Sequence, residues 1–476
     1  MKKLVTGLTI LLTLTLAILG LILTNVIQIN NEPQKITVVQ KETRKDPEPS
    51  SPTYFEHLEK GDGFVKKNND TLAFNEYVLA NKINPEAVEP LLKIGKLHLK
   101  RRDYERALEI FLNVLKKDSA NIEGNINLIK TYIGQGKPQK ALDLTTTIQQ
   151  QNDTIDYYKG LLYAYFGKYD DSKKILGVVT QKNTNPEIQK NAQEILKSYE
   201  VFSSTQGSQL IYLKTLIAKN LNQAKEFQLT IPLLFQVVQE KKDYRDAWIL
   251  LGYAYLNEDD TKNAIDALEQ AQKLDPHKPE TVFFLGLAYQ SQNKIKAIAL
   301  IEEAITKGFE PKIQAKQKLA DLYFDTGKYD QAAKNYEDVI NLNSDDLSYF
   351  TRPLWIYIEK LQDGEKASAL AQKALEKHPE NAMSYNFLGW ALLAKKDYNG
   401  ARDNLGKAIQ KDPKLAVAYL NLGRLFEEIN YQSTAKDYYK TAFEMGKGTS
   451  ISNSAAEKYN LITQKENNAL KTSVTP

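Results

Sequence analysis

The side chains that could carry chemistry in this sequence are few and lie far apart. No metal-binding spacing such as H-E-x-x-H surrounds any of the four histidines, His57, His98, His277 and His378. The sequence contains no G-x-G-x-x-G, G-x-x-x-x-G-K-[ST] or G-x-S-x-G motif. Acidic pairs such as Glu427–Glu428 and Asp259–Asp260 are expected among 59 acidic residues. We therefore predict that the protein is not an enzyme and uses no cofactor, metal or small-molecule substrate.

Charge and cysteine content exclude further classes of function. Lys and Arg number 63 against 59 Asp and Glu, which leaves a net charge of +4 spread along 476 residues. Nucleic-acid binding would need a basic stripe or a much larger excess of positive charge. Cysteine is absent, so no disulfide, thiolate zinc site or cysteine nucleophile can form. We predict no nucleic-acid partner.

The N-terminal segment has the pattern of a membrane anchor. Lys2 and Lys3 precede an uncharged apolar run, Leu4–Ile29. As a helix this run would span roughly 39 Å, more than the hydrocarbon core of about 30 Å. A cleaved signal peptide remains the alternative, although its apolar core is usually shorter, about 7–15 residues, and ends in a small-residue motif. We predict an uncleaved transmembrane helix at residues 1–29, with its N-terminus in the cytoplasm.

A polar stretch separates this anchor from the rest of the chain. Residues 30–52 contain four prolines and little that could be buried, so we predict a disordered linker. The remaining chain is then expected to be extracytoplasmic, in a single-pass membrane protein.

A repeat of about 34 residues runs through the remaining sequence. Its clearest unit places large and small residues in fixed slots: Trp248, Leu251, Gly252, Tyr255, Ala264, Leu268, Ala271 and Pro276. The same slots recur near the C-terminus as Tyr385, Leu388, Gly389, Leu392, Ala401, Leu405, Ala408 and Pro413. We count eleven such units, of which the one beginning near Ile211 is the most degenerate.

The pattern W-x2-L-G-x2-Y…A…A…P resembles the tetratricopeptide repeat (TPR) family. The resemblance implies an all-α, right-handed superhelical solenoid of helix hairpins. Glycine or alanine stands where the two helices of a hairpin pass closely, and proline ends the second helix. A break divides the array, so we predict a first TPR segment at 53–202, a hinge at 203–210 and a second TPR segment at 211–449. Residues 450–476 are expected to form a capping helix and a disordered tail.

In TPR arrays the first helices of the hairpins line a groove that holds peptides or partner helices. The resemblance assigns twelve residues of the second segment to this groove: Ile249, Tyr253, Leu256, Phe283, Leu287, Phe324, Arg352, Met383, Asn386, Trp390, Leu393 and Arg424. Aromatic and arginine side chains often dominate binding energy. The alternative is that tight winding buries some of them as core.

Four lysines lie on the first helices of the hairpins in the first segment: Lys66, Lys96, Lys100 and Lys130. They could form a ridge for an acidic peptide or a C-terminal carboxylate, or an ordinary solvated face. The Lys/Asn/Arg set that clamps a carboxylate in some TPR proteins has no clear copy here.

These observations predict a membrane-anchored scaffold or adaptor that binds proteins through its groove, in assembly of an envelope or membrane complex. Two alternatives remain open. The solenoid could self-associate as a structural protein, or it could bind carbohydrate or cell wall through its 27 tyrosines and other aromatic residues.

The anchor can be tested by membrane extraction. We expect the full chain to stay in the membrane pellet after alkaline carbonate, because Leu4–Ile29 is long enough to span the bilayer. Deletion of residues 1–29 should release the protein into the supernatant. Release of the full chain by carbonate would contradict the prediction.

Overall fold

The structure is a computed structural model that describes residues 53–182, 185–207 and 209–473. In these ranges the chain forms helices and turns without strands, which confirms the predicted all-α fold. The predicted anchor and linker, residues 1–29 and 30–52, lie outside the described residues. Among the helices that are described, none combines the length and apolar character needed to cross a bilayer.

The described residues divide into two compact units, 53–277 and 278–473. The first unit contains hairpins 1 to 4, a single long helix, and hairpins 5 and 6. Its helices are α1 (Tyr54–Lys66), α2 (Asp70–Ile83), α3 (Glu89–Lys100), α4 (Tyr104–Lys117), α5 (Ile122–Gly134), α6 (Pro138–Thr147), α7 (Asp153–Tyr165), α8 (Tyr169–Gln181), the single α9 (Pro186–Ser204), α10 (Leu210–Gln223), α11 (Phe227–Glu240), α12 (Arg245–Asn257) and α13 (Thr261–Leu274).

The second unit contains hairpins 7 to 11 and a final helix. Its helices are α14 (Pro279–Tyr289), α15 (Lys294–Thr306), α16 (Lys312–Asp325), α17 (Tyr329–Leu342), α18 (Thr351–Trp355), α19 (Gly364–Lys377), α20 (Ala382–Ala394), α21 (Tyr398–Lys411), α22 (Ala416–Glu428), α23 (Gln432–Met445) and the final α24 (Ser450–Ser473). In hairpin 9 a 3-10 turn, Leu347–Phe350, precedes α18 and a π-helical stretch, Ile356–Lys360, follows it. The described ranges thus hold eleven hairpins, the number that the repeat count predicts.

The turn inside each hairpin is built in nearly the same way throughout. In ten of the eleven hairpins one residue of this turn has a left-handed backbone, with φ between 51° and 74°: Asn68, Arg102, Gly136, Gly167, Lys225, Asp259, Gly327, Gln362, Lys396 and Asn430. In five hairpins the next side chain caps the second helix by accepting one of its first backbone N–H groups: Asn69, Asp103, Asp260, Asp363 and Asp397. Asp259 and Asp260 are therefore turn residues.

Small residues hold the two helices of a hairpin close together. A Cβ atom added at Gly389 of α20 would lie 2.6 Å from Cγ of Leu405 and 3.1 Å from the backbone oxygen of Ala401, both on α21. Leu405 and Ala401 are fully buried. The same close approach joins Gly252 to Leu268 in hairpin 6.

Two helices without a hairpin partner complete the packing. The single α9 contacts α8 on one side and α10 on the other, and it buries Ala192, Ile195 and Tyr199. Both sides of the predicted hinge, 203–210, therefore lie in the first compact unit. At the C-terminal end, α24 buries Ala455 and Ile462 against hairpin 11.

Two glycines of hairpin 10 should respond oppositely to alanine. Gly389→Ala should lower stability by about 1–3 kcal/mol, because the new methyl group overlaps Leu405. Gly406→Ala should be neutral or raise stability by up to about 1 kcal/mol, because a Cβ there meets nothing within 4 Å and alanine favours a helix. Thermal melting of both variants tests this, and equal melting shifts would contradict the assigned close contact.

Candidate functional site

The first helices of consecutive hairpins lie beside one another. In the second unit α18 contacts α20, and α20 contacts α22. In the first unit α3 contacts α5, α5 contacts α7, and α10 contacts α12. We call the surface formed by residues 312–325, 347–360, 382–394 and 416–428 the inner face of the second unit. The inner face of the first unit is the corresponding surface of residues 54–66, 89–100, 122–134 and 153–165.

Four of the twelve groove residues predicted from sequence are buried. Ile249, Tyr253, Phe283 and Asn386 have at most 9% of their surface exposed. Phe283 stacks on Phe309 with ring centroids 4.0 Å apart. Asn386 accepts a hydrogen bond of 3.0 Å from the buried Asn421 amide. For these four residues the core interpretation holds, since their side chains are largely removed from solvent.

The other eight predicted groove residues are only partly buried: Leu256, Leu287, Phe324, Arg352, Met383, Trp390, Leu393 and Arg424. Six of them lie on the inner face of the second unit, from α16 to α22. This surface combines apolar side chains with arginine.

Phe324 and Arg352 belong to a compact group of rings and cations. The Arg352 guanidinium carbon lies 5.1 Å from the centre of the Phe324 ring. The Trp355 ring lies 5.6 Å from Phe324, and the Lys360 ammonium lies 5.1 Å from the centre of Trp355. We call Phe324, Arg352, Trp355 and Lys360 the aromatic–cation cluster.

Trp355 and Lys360 were not among the residues predicted for this surface. Trp355 occupies the slot that holds glycine or alanine in most repeats. A bulky ring in that slot was the available signal. The π-helical stretch that begins at Ile356 then shifts the register that would have placed Lys360.

Charged groups beside the cluster are held in partly apolar surroundings. Burial lowers the pKa of the Lys318 ammonium and raises the pKa of the Asp321 carboxyl, which accepts a short hydrogen bond from Tyr336. The Asp321 carboxyl group interacts electrostatically with Lys318 and Arg352, whereas the exposed Lys360 lies over the rings of Trp355 and Tyr329. Rings and cations in this arrangement can receive an apolar side chain together with an acidic group.

Arg424 is placed differently from the cluster. Its guanidinium lies 3.3 Å from the carboxylate of Glu359, which joins the first helices of hairpins 9 and 11. Both side chains are at least 30% exposed, so this ion pair contributes little to stability and leaves Arg424 accessible.

Three of the four predicted lysines are already engaged by acidic groups of the same unit. Lys96 forms a close ion pair with Glu123, and the Lys100 ammonium lies 2.9 Å from Asp70. Lys130 lies 5.6 Å from the centre of the Tyr158 ring, where its charge acts on Glu226. Lys66 is exposed at the end of α1. The structure therefore does not arrange these lysines as one free ridge.

Glu226 brings a carboxyl group to the inner face of the first unit. The Tyr158 hydroxyl donates a hydrogen bond of 2.9 Å to this carboxyl group. Burial raises the pKa of Glu226, while the Tyr158 hydrogen bond and the charge of Lys130 oppose that shift. No local sequence pattern indicated this contact, because 68 residues separate the two partners.

A titration-dependent stability effect follows for Glu226. Because the pKa of Glu226 is raised in the native state, the native state binds this proton more tightly than the unfolded chain does. The free energy of unfolding therefore falls as the pH rises above about 4.3, the pKa of an unperturbed glutamic acid. Glu226→Gln removes this loss, so the variant should gain stability relative to the parent as the pH rises above about 4.3. Melting temperatures across this range test it, with exposed Glu200→Gln as control. A stability difference between variant and parent that does not change with pH would contradict a raised pKa for Glu226.

Comparison with known families agrees with the repeat register. Three tetratricopeptide-repeat families match this chain, one at residues 246–278 and 313–346, one at 98–164 and one at 359–416. These matches fall within hairpins that the structure shows in both units.

Individual relatives match parts of the chain at low identity. Tetratricopeptide repeat protein 37 of Xenopus laevis is 27% identical over 42% of this chain and 14% of its own length. The peroxisomal targeting signal receptor of Saccharomyces cerevisiae is 27% identical over 41% of this chain and 34% of its own length. This chain therefore spans about a third or less of those two relatives. Lipopolysaccharide assembly protein B of Escherichia coli K12 is 19% identical over 65% of this chain and 78% of its own length. Helix hairpins, slot residues and family matches together identify the chain as a tetratricopeptide-repeat protein.

Proposed function

We propose that this protein is a scaffold that holds protein partners on the inner face of its second unit. The aromatic–cation cluster is the observation that carries the proposal. Phe324 and Trp355 offer ring surface beside Arg352 and Lys360, and all four side chains keep exposed area. Aromatic and arginine side chains of this kind dominate the energy of many protein interfaces.

The half-buried apolar residues of hairpin 10 extend this surface. Met383, Trp390 and Leu393 lie on α20, the first helix of that hairpin. Since the packing slots of α20 are filled by Leu388, Gly389 and Ala391, these three side chains are free to contact another protein. A partner segment could thus lie across the first helices of hairpins 8 to 10.

Membrane attachment is the second part of the proposal. The apolar run Leu4–Ile29 would hold the array at a membrane, with residues 30–52 as a spacer. The likeness to lipopolysaccharide assembly protein B supports a role in assembling an envelope or membrane complex. The array would then present its inner face to partners gathered at the membrane.

Site-specific photocrosslinking tests the partner surface. A photoreactive amino acid at Trp390 should capture a distinct protein in native membranes, because this side chain is partly exposed on the inner face. The same amino acid at Ile295, which is 77% exposed on a second helix, is the control and should capture less.

Loss of the cluster gives the complementary result. Phe324→Ala combined with Trp355→Ala should reduce recovery of the captured protein at least tenfold, since such anchors contribute about 2 kcal/mol or more. Unchanged recovery would rule out the inner face as the binding surface. A captured band with the mass of a second copy of this chain would favour self-association instead.

A further inference from the structure

Arg102 connects two distant turns of the first unit. It is the left-handed residue of the turn between α3 and α4, with φ of 59°. Its Nη1 donates to the backbone oxygen of Glu258 at 2.7 Å and to the carboxylate of Asp259 at 3.1 Å. Its Nη2 donates to the backbone oxygen of Asn257 at 2.6 Å. One side chain of hairpin 2 therefore binds the turn of hairpin 6, about 155 residues later in the chain.

The acceptors explain why arginine suits this position. Asn257 and Glu258 lie at the C-terminal end of α12, where backbone oxygens lack helical partners and the helix dipole is negative. A planar guanidinium reaches several such oxygens at once, which a lysine ammonium cannot do. Gln228 of α11 also hydrogen-bonds the Glu258 carboxylate, so the turn is held from two sides.

A second set of contacts inside the first unit joins hairpins 3 and 4 to hairpin 5. The helix α11 contacts α5, and the hydrogen bond from Tyr158 to Glu226 joins α7 to the turn before α11. Lys130, Tyr158 and the hydrogen-bonded Glu226 thus meet where the inner face of hairpins 3 and 4 touches hairpin 5. The carboxyl group of Glu226 thus occupies a site that offers the Tyr158 hydroxyl as a hydrogen-bond donor and the positive charge of Lys130.

We propose that Arg102 is a clasp that keeps the inner face of the first unit occupied by Glu226, and that an acidic segment of a partner protein takes the place of Glu226 when the clasp opens. The partner chemistry follows from the group already bound there: Tyr158 donates to a carboxylate and Lys130 supplies the opposite charge. Arg102 holds the turn of hairpin 6, and the hydrogen bond between Gln228 and Glu258 links that turn to α11, which begins directly after Glu226.

The distance between the two turns reports on the clasp. The chain has no native cysteine, so Arg106→Cys and Lys262→Cys place spin labels specifically on exposed sites of α4 and α13. Electron–electron resonance on the full chain should give one narrow distance distribution. Arg102→Asn keeps a residue that tolerates the left-handed backbone and removes the guanidinium, so the distribution should move to longer distances by more than its own width.

The adjacent Arg101 provides the matched control. Within the described residues its guanidinium reaches only the Thr71 hydroxyl, at 3.5 Å, so Arg101→Asn should leave the distribution unchanged. Circular dichroism checks that both variants keep their helices. A helical Arg102→Asn variant whose distribution matches the parent would overturn the clasp.

Binding of an acidic segment in place of Glu226 is tested separately. In the spin-labelled Arg102→Asn variant, excess hexaglutamate peptide should lengthen the distance further, because its carboxylates compete with Glu226 for Tyr158 and Lys130. Hexaglutamine at matched ionic strength should have no effect. No response to hexaglutamate would overturn the acidic-segment site while leaving the clasp itself intact.

Discussion

Most hairpins in the described ranges depend on two helices that cross with almost no space between them. At Gly389 there is no room for a methyl group before Leu405 and the Ala401 backbone, and Gly252 meets Leu268 in the same way. Close crossing buries the large slot residues from both helices and sets the angle at which the next hairpin packs. The turn geometry supports it, since a single left-handed residue reverses the chain in ten of the eleven hairpins of the described ranges.

Because each hairpin packs mainly against its neighbours, the core of each unit follows the stacked hairpins and leaves a surface of the first helices beside it. The first helices also carry side chains outside the packing slots of the repeat, and those positions are where the two units differ. In the second unit they carry Phe324, Arg352 and Trp390, which remain partly exposed. In the first unit they carry Lys96, Lys130 and Tyr158, whose polar groups are met by acidic side chains from the same unit.

Apart from the exposed Arg424–Glu359 ion pair, charged side chains have different roles in the two units. In the first unit a buried carboxyl group, Glu226, and a guanidinium that binds a helix end, Arg102, tie distant hairpins together. In the second unit Arg352 and Lys360 lie over aromatic rings. A cation that lies over an aromatic ring can still attract an acidic ligand. In the first unit, by contrast, the charged side chains are paired with groups of the protein itself.

The sequence by itself determined the all-α fold, the eleven hairpins and the small slots, because each rests on spacing within about 34 residues. It also placed Phe324, Arg352 and Trp390 on the first helices, since the repeat register alone decides that. Only the tertiary structure decided which groove residues are buried. Phe283 and Asn386 pack against Phe309 and Asn421, partners that the register does not name. Only the tertiary structure also showed that Trp355 and Lys360 belong to the cluster. It likewise showed that Arg102 and Glu226 contact residues far along the chain. Such contacts depend on how successive hairpins are rotated in space, and no local pattern of residues encodes that rotation.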